Sequence, residues 1–122
     1  MTKMTPFARD MIVMGGIFLI CAIGCYASSM TLTYLHENVH QMIFKDYGIN
    51  STIIYGPPFG LGAKTVPVAG SKSCATHEMC NLAHSINEAV GYSLYPFVLM
   101  FWSGMFLMMI LFYLTLEGRW LR

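Results

Sequence analysis

The sequence predicts a mainly α-helical membrane protein, with two transmembrane helices joined by a small extramembrane domain. Residues 11–30 and residues 92–116 are apolar runs without a charged side chain, and each is long enough to cross a hydrocarbon core of about 30 Å as a helix. Hydrophobic residues make up 56% of the 122 residues and charged residues only 11%, which is unusual for a soluble domain. We therefore expect both runs to lie in the lipid bilayer, with residues 31–91 outside it.

The positive charges at the chain ends predict the orientation of the two helices. Lys3 and Arg9 precede the first apolar run, and Arg119 and Arg122 follow the second. Because segments rich in Lys and Arg stay in the cytoplasm, we expect a cell-membrane protein with both termini cytoplasmic and residues 31–91 extracytoplasmic. A cleaved secretory signal is the alternative for the first run, although that run exceeds the usual apolar core of a signal peptide.

The connecting segment carries its own secondary-structure signals. Residues 31–47 favour a helix that continues or follows the first span and stops at Gly48. Two short β-type runs, residues 52–55 and 65–68, flank a stretch rich in Gly and Pro and predict a hairpin or two irregular arms. From about Thr76 the pattern becomes helical again and leads into the second span.

The charge balance excludes one class of partner. Lys and Arg number seven, against six Asp and Glu, so the chain lacks the basic surface with which nucleic-acid-binding proteins neutralise phosphates. We expect no nucleic-acid partner. A connecting segment this small is typical of proteins that need a metal, a disulfide or partner subunits to become ordered, so other membrane subunits are candidate partners.

A His-Glu-Asn-Val-His motif follows the first apolar run. Its histidines, His36 and His40, stand at positions i and i+4, which project from one face of a helix and can bind the same zinc ion. Glu37 lies beside them, where a carboxylate can accept a proton from a zinc-activated water molecule. The motif predicts a Zn²⁺ site with a general base, whereas two interfacial histidines without a metal are the alternative.

A catalytic zinc site needs a third protein ligand, and the segment before the second span offers candidates. His77, Asn81, His84 and Glu88 fall on one stripe of a helix. Glu88 and the His-Glu motif each lie a few residues from a span, so antiparallel helices would bring them to one level. Glu88 or His84 could complete the site; if Glu88 binds the metal, His84 is left to contact the substrate or the oxyanion.

The motif, followed later by Asn87-Glu88, resembles the gluzincin class of zinc metallopeptidases, and its membrane-anchored members in particular. The third ligand in that class is a Glu on a second helix, often preceded by Asn. The resemblance implies a zincin-like domain in which His36, His40 and Glu88 bind zinc. It also implies that Glu37 is the general base.

The implied activity is hydrolysis of a peptide bond in a peptide or protein substrate near the outer membrane surface. Members of the class commonly place an Asp four residues after the ligand Glu, where it orients a ligand histidine, but Tyr92 stands at that position here. The sequence therefore does not identify the residue that orients the histidine. The alternative function is a non-catalytic accessory subunit of a larger membrane complex, with a structural metal or none.

The four cysteines fall into two pairs. Cys74 and Cys80 lie close together in the segment that is predicted to face an oxidising space, and we expect a disulfide between them. A metal knuckle formed by these two cysteines and His77 is the alternative. Cys21 and Cys25 lie in the first apolar run and are expected to be small packing residues.

Overall fold

The computed structural model of the protein describes residues 5–56, 62–71 and 74–118. It is mainly α, as predicted, with two long apolar helices and one antiparallel two-stranded hairpin. The elements in chain order are helix α1 (Pro6–Asp46), strand β1 (Ser51–Ile54), strand β2 (Lys64–Pro67), a single 3₁₀ turn (Cys74–Thr76) and helix α2 (Glu78–Leu116).

Both helices are long and apolar enough to cross a membrane, by length and composition. Helix α1 runs without a break from the first apolar run through the His-Glu motif, so the helix predicted over residues 31–47 continues the helix of that run. Large apolar side chains stay exposed along both helices, among them Phe18 (62%), Met100 (70%) and Phe112 (67%). An apolar surface of this extent is typical of a face that lipid or another protein covers.

One compact unit of the chain consists of Met1–Ala27 and Val98–Arg122. Its helices approach closely at Gly24, where an added Cβ would overlap the indole of Trp102. Phe18 and Phe106 pack edge to face, with ring centroids 6.1 Å apart. On the same part of α1 the thiol of Cys21 is free and buried, in line with its predicted packing role.

Polar contacts join the two helices at the far end of this unit. Arg9 Nη2 donates to Glu117 Oε2 over 2.6 Å, and the hydroxyl of Tyr113 donates to Asp10 Oδ1 over 2.6 Å. The basic residue that helps to predict the orientation of the first span is therefore paired with an acid near the end of α2. An exposed pair of this kind contributes little to stability.

The second compact unit, Ser28–Phe97, begins with the end of α1. Gly48 has a φ of 69°, which a residue without Cβ adopts at no steric cost. Its N–H donates to Lys45 O, and the N–H of Ile49 donates to Phe44 O, both over 2.9 Å. These two bonds form a Schellman motif, in which Ile49 also packs on Phe44. The stop predicted at Gly48 is confirmed.

A small core stabilises this unit. Phe44 and Ile49 are buried together with Cys74 and Cys80, and Cys80 is fully inaccessible. The two sulfurs form a disulfide across a Cα–Cα separation of 5.5 Å, which confirms the predicted pairing. His77, which would complete the alternative metal knuckle, is exposed and packs on the ring of Tyr47. The disulfide therefore holds the 3₁₀ turn against the first turn of α2.

The two short β-type runs form the predicted hairpin and not two irregular arms. Strands β1 and β2 pair in antiparallel register with Ser51 opposite Pro67 and Ile54 opposite Lys64, each strand beginning one residue earlier than predicted. A two-stranded hairpin is marginally stable by itself. Helix α1 supports it through Gln41, whose Nε2 donates to the Ser51 carbonyl over 3.4 Å.

Candidate metal centre

Three potential ligand atoms converge from two helices. His36 and His40 stand one turn apart on α1, and Glu88 faces them from α2. His40 Nε2 lies 3.1 Å from His36 Nε2 and 3.2 Å from Glu88 Oε1. The other carboxylate oxygen, Glu88 Oε2, lies 3.5 Å from His36 Nε2.

Each of these separations is close to the edge length of a metal coordination tetrahedron, although the two contacts to Glu88 involve different carboxylate oxygens. Zinc bonds to nitrogen and oxygen of about 2.0–2.1 Å in tetrahedral geometry place neighbouring ligand atoms about 3.3–3.4 Å apart. The observed distances of 3.1, 3.2 and 3.5 Å bracket that value. The three side chains are therefore spaced as candidate metal ligands, and two imidazoles with one carboxylate form a donor set that zinc sites use.

Burial favours the neutral form of His40. The side chains of His40 and His36 are 8% and 15% exposed, while that of Glu88 is 46% exposed. Burial, followed by repulsion from His36, lowers the pKa of His40 below its ordinary value, and Glu88 opposes this in part. A neutral imidazole is the form that binds a metal, and the half-exposed Glu88 leaves one side of the group accessible.

Gly91 on α2 makes room for His36. A Cβ at Gly91 would overlap the His36 ring at Nδ1 and Cε1. The neighbouring Asn87 donates from Nδ2 to the His36 carbonyl over 3.2 Å, so α2 contacts this histidine at both backbone and side chain. Within the described part of the chain, His36 Nδ1 is buried and has no hydrogen-bond partner.

Glu37 is buried beside the two histidines and is held by the hairpin. Its relative exposure is 5%. The hydroxyl of Thr65 on β2 lies 2.7 Å from Glu37 Oε2 and 3.0 Å from the Glu37 carbonyl oxygen. A hydroxyl has one proton to donate, and the shorter contact is the one to the carboxylate. Strand β2 therefore holds the side chain of the candidate general base through this hydrogen bond.

We expect Thr65→Val to destabilise the fold, because the buried Glu37 carboxylate would lose its hydrogen-bond donor. A hydrogen bond to a charged group contributes about 1.5–3 kcal/mol, and Val has nearly the size of Thr. Thr65→Ser keeps the hydroxyl and should unfold close to the wild-type temperature. Circular dichroism of the detergent-solubilised proteins on heating measures the difference, and equal melting of the Val and Ser variants would contradict the assigned hydrogen bond.

His84 occupies a different position from Glu88. Its Nδ1 faces His40 Nδ1 at 2.5 Å, on the side of the His40 ring that points away from Glu88. Its ring packs against Phe44 with centroids 4.4 Å apart. Burial, and then repulsion from His40, lowers the pKa of His84 below its ordinary value. Of the predicted polar stripe, His77 and Asn81 are exposed.

A cavity of about 510 Å³ opens over the candidate ligands. Its size is in the range of small-molecule and cofactor sites. Thr33 and Tyr95 form part of the wall and are hydrogen-bonded to each other over 2.7 Å. The lining residues come from α1, α2 and the hairpin arm: Thr33, His36, Glu37, His40, Phe44, Gly62, Ala63, Lys64, Thr65, His84, Glu88, Gly91, Tyr92 and Tyr95.

A second cluster of potential ligands combines Cys74, Cys80 and His84, with ligand atoms within 4.8 Å of one another. The thiolate is the form of cysteine that binds metals. Because both sulfurs belong to the disulfide, this cluster is not a metal site in the oxidised protein. His36, His40 and Glu88 are therefore the stronger candidate centre.

By fold and site, the chain is a two-helix protein with a candidate centre of two histidines and one glutamate. Compared with known proteins, it matches no protein-family model, no curated protein sequence and no solved structure. The geometry of the centre therefore carries the functional argument. Gly91 and Thr65 are the residues that sequence reasoning missed there. The signal for Gly91 was its position inside a helical pattern. Glycine lowers helix stability there, so its presence indicates that close packing requires it.

Proposed function

We propose that this protein is a membrane-anchored zinc metallopeptidase that hydrolyses a peptide bond near the outer membrane surface. One observation carries the proposal. The Nε2 atoms of His36 and His40 stand 3.1 Å apart, and the two carboxylate oxygens of Glu88 lie 3.2 and 3.5 Å from them, while Glu37 lines the same cavity. The anchoring rests on the two long apolar helices, and the outer location rests on the basic residues at the chain ends.

In this proposal each side chain has one task. His36, His40 and Glu88 hold the ion, and Thr65 holds Glu37 at the cavity wall. When bound, zinc supplies Lewis-acid polarisation of the scissile carbonyl and lowers the pKa of water to about 7. Glu37 accepts the proton from the attacking water and later delivers it to the leaving amine.

The hairpin supplies a place for an extended substrate. Strand β2 pairs with β1 along one edge, and its Lys64 and Thr65 line the cavity. A peptide can add to the second edge of β2 through main-chain hydrogen bonds. Such binding would lay the scissile bond across the centre, in the cavity that Tyr92 and Tyr95 also line.

Metal analysis of the purified protein tests the proposal first. We expect about one zinc per chain in the wild type. His36→Ala and His40→Ala should lose the ion, because two ligands leave an open and weak site. His77→Ala is the matched control, since His77 is exposed and outside the centre, and it should keep the zinc. A wild type without zinc would overturn the proposal.

A peptide-hydrolysis assay tests the catalytic part of the proposal. Zinc-loaded protein in detergent should cleave members of a fluorogenic peptide library, and a chelator should stop the cleavage. If the protein holds zinc through these residues but cleaves no peptide, the metal is structural. The chain would then be a non-catalytic accessory subunit of a membrane complex.

A further inference from the structure

We propose that His84 is a positioning residue for the metal ligand His40. In this arrangement the Nδ1–H of His40 donates a hydrogen bond to Nδ1 of His84, while Nε2 of His40 binds the metal. The inference rests on the metal centre of the proposed function. It gives His84 a role other than contact with the substrate, and it supplies the histidine-orienting partner that the sequence did not identify.

The two rings meet edge to edge. Their Nδ1 atoms are 2.5 Å apart, their centroids are 4.8 Å apart, and their planes differ by 21°. With the nitrogens this close, a centroid separation of 4.8 Å is about the largest that two imidazoles can reach. The rings must therefore lie nearly in one plane with the nitrogens facing each other. In this geometry a proton on one nitrogen points at the lone pair of the other.

Proton counting decides the direction of the bond. A neutral imidazole carries one proton, and metal binding at His40 Nε2 leaves that proton on Nδ1. The Nδ1 of His84 must then be the acceptor, which puts the proton of His84 on Nε2. Outer hydrogen bonds of this kind fix the tautomer and the ring orientation of a ligand histidine and raise its basicity.

The small core holds His84 in place. Its ring rests on Phe44 with centroids 4.4 Å apart, and its ligand atom lies within 4.8 Å of the sulfurs of Cys74 and Cys80. The disulfide and the end of α1 thus fix the ring that faces His40. Because His84 precedes Glu88 by four residues, one turn of α2 supplies both the third ligand and this partner.

Two substitutions of nearly equal size test the inference. His84→Asn places an amide oxygen close to the position of Nδ1 and preserves the acceptor, whereas His84→Leu removes it. We expect the Leu variant to bind zinc about 10–100-fold more weakly than the wild type, and the Asn variant to bind close to wild type. His77→Leu is the control and should not change the affinity. Zinc titration of the full-length protein in detergent against a chromophoric chelator measures these values.

The outcomes separate this inference from the proposed function. Equal zinc affinity of the Leu variant and the wild type overturns it, and so does an Asn variant that binds no better than Leu. A wild type that binds no zinc overturns both proposals. Zinc-loaded wild type that cleaves no peptide contradicts the peptidase alone, because the affinities of the variants still test His84.

A measurement on the wild type covers the case in which the Leu variant does not fold. In zinc-loaded protein with ¹⁵N-labelled histidine, NMR should find a proton on Nδ1 of His40 and on Nε2 of His84. The Nδ1 of His84 should carry none. A proton on Nδ1 of His84, or metal bound through Nδ1 of His40, would overturn the inference.

Discussion

Glu37→Gln is expected to abolish measurable peptide hydrolysis while leaving the fold and the bound zinc intact. Gln has the shape of Glu but cannot accept the proton of the attacking water, and positioned acid–base groups contribute about 10²–10⁴-fold to rate. The carboxamide oxygen can still accept the hydrogen bond from Thr65 that Glu37 Oε2 accepts now. The ligands His36, His40 and Glu88 are unchanged.

The matched control is Glu78→Gln, at the exposed start of α2. It removes the same charge outside the cavity and should leave turnover unchanged. Initial rates on a fluorogenic peptide and the zinc content of each preparation are measured together. Unchanged turnover in Glu37→Gln would remove Glu37 as general base, and loss of zinc with turnover would make its role structural.

The elements that the sequence predicted correctly are those with local causes. The two charge-free runs lie in α1 and α2, which are long and apolar enough to cross a membrane. The helix stop at Gly48 follows from the left-handed conformation that a Schellman motif requires. The spacing of His36 and His40 places both on one helix face without reference to any other part of the chain.

The residues that the sequence did not reveal act through tertiary contacts. Thr65 reaches Glu37 across 28 positions, and nothing in its neighbours marks it as a partner. In the class that the motif resembles, the residue that orients a ligand histidine lies four residues after the ligand Glu, where this chain has Tyr92. In the structure, His84 faces His40 from four residues before Glu88. The predicted stripe reaches the centre only at His84 and Glu88, because His77 precedes α2 and packs on Tyr47.

Gly91→Ala is expected to lower zinc affinity to about the level of His36→Ala. The new Cβ would overlap Nδ1 and Cε1 of His36, so the ring must rotate and carry its Nε2 away from Glu88. The new Cβ is bonded to the α2 backbone and cannot move aside by rotating. The His36 ring packs against α2, so it has little room to adjust. Zinc titration in detergent measures the loss, and wild-type affinity in Gly91→Ala would contradict the close packing.

Gly104→Ala is the control on the same helix, because an added Cβ there meets nothing within 4 Å. It should keep the zinc and raise the free energy of unfolding, since Ala in a helix interior is favoured over Gly by about 0.5–1 kcal/mol. Gly91→Ala should instead lower it, because overpacking costs about 1–3 kcal/mol. In the His36→Ala background the overlapping ring is absent. There we expect Gly91→Ala to raise the free energy of unfolding instead of lowering it. Thermal unfolding of the wild type, Gly91→Ala, Gly104→Ala, His36→Ala and the Gly91→Ala/His36→Ala double variant measures that reversal. Destabilisation by Gly91→Ala in both backgrounds would show that Gly91 packs against something other than His36.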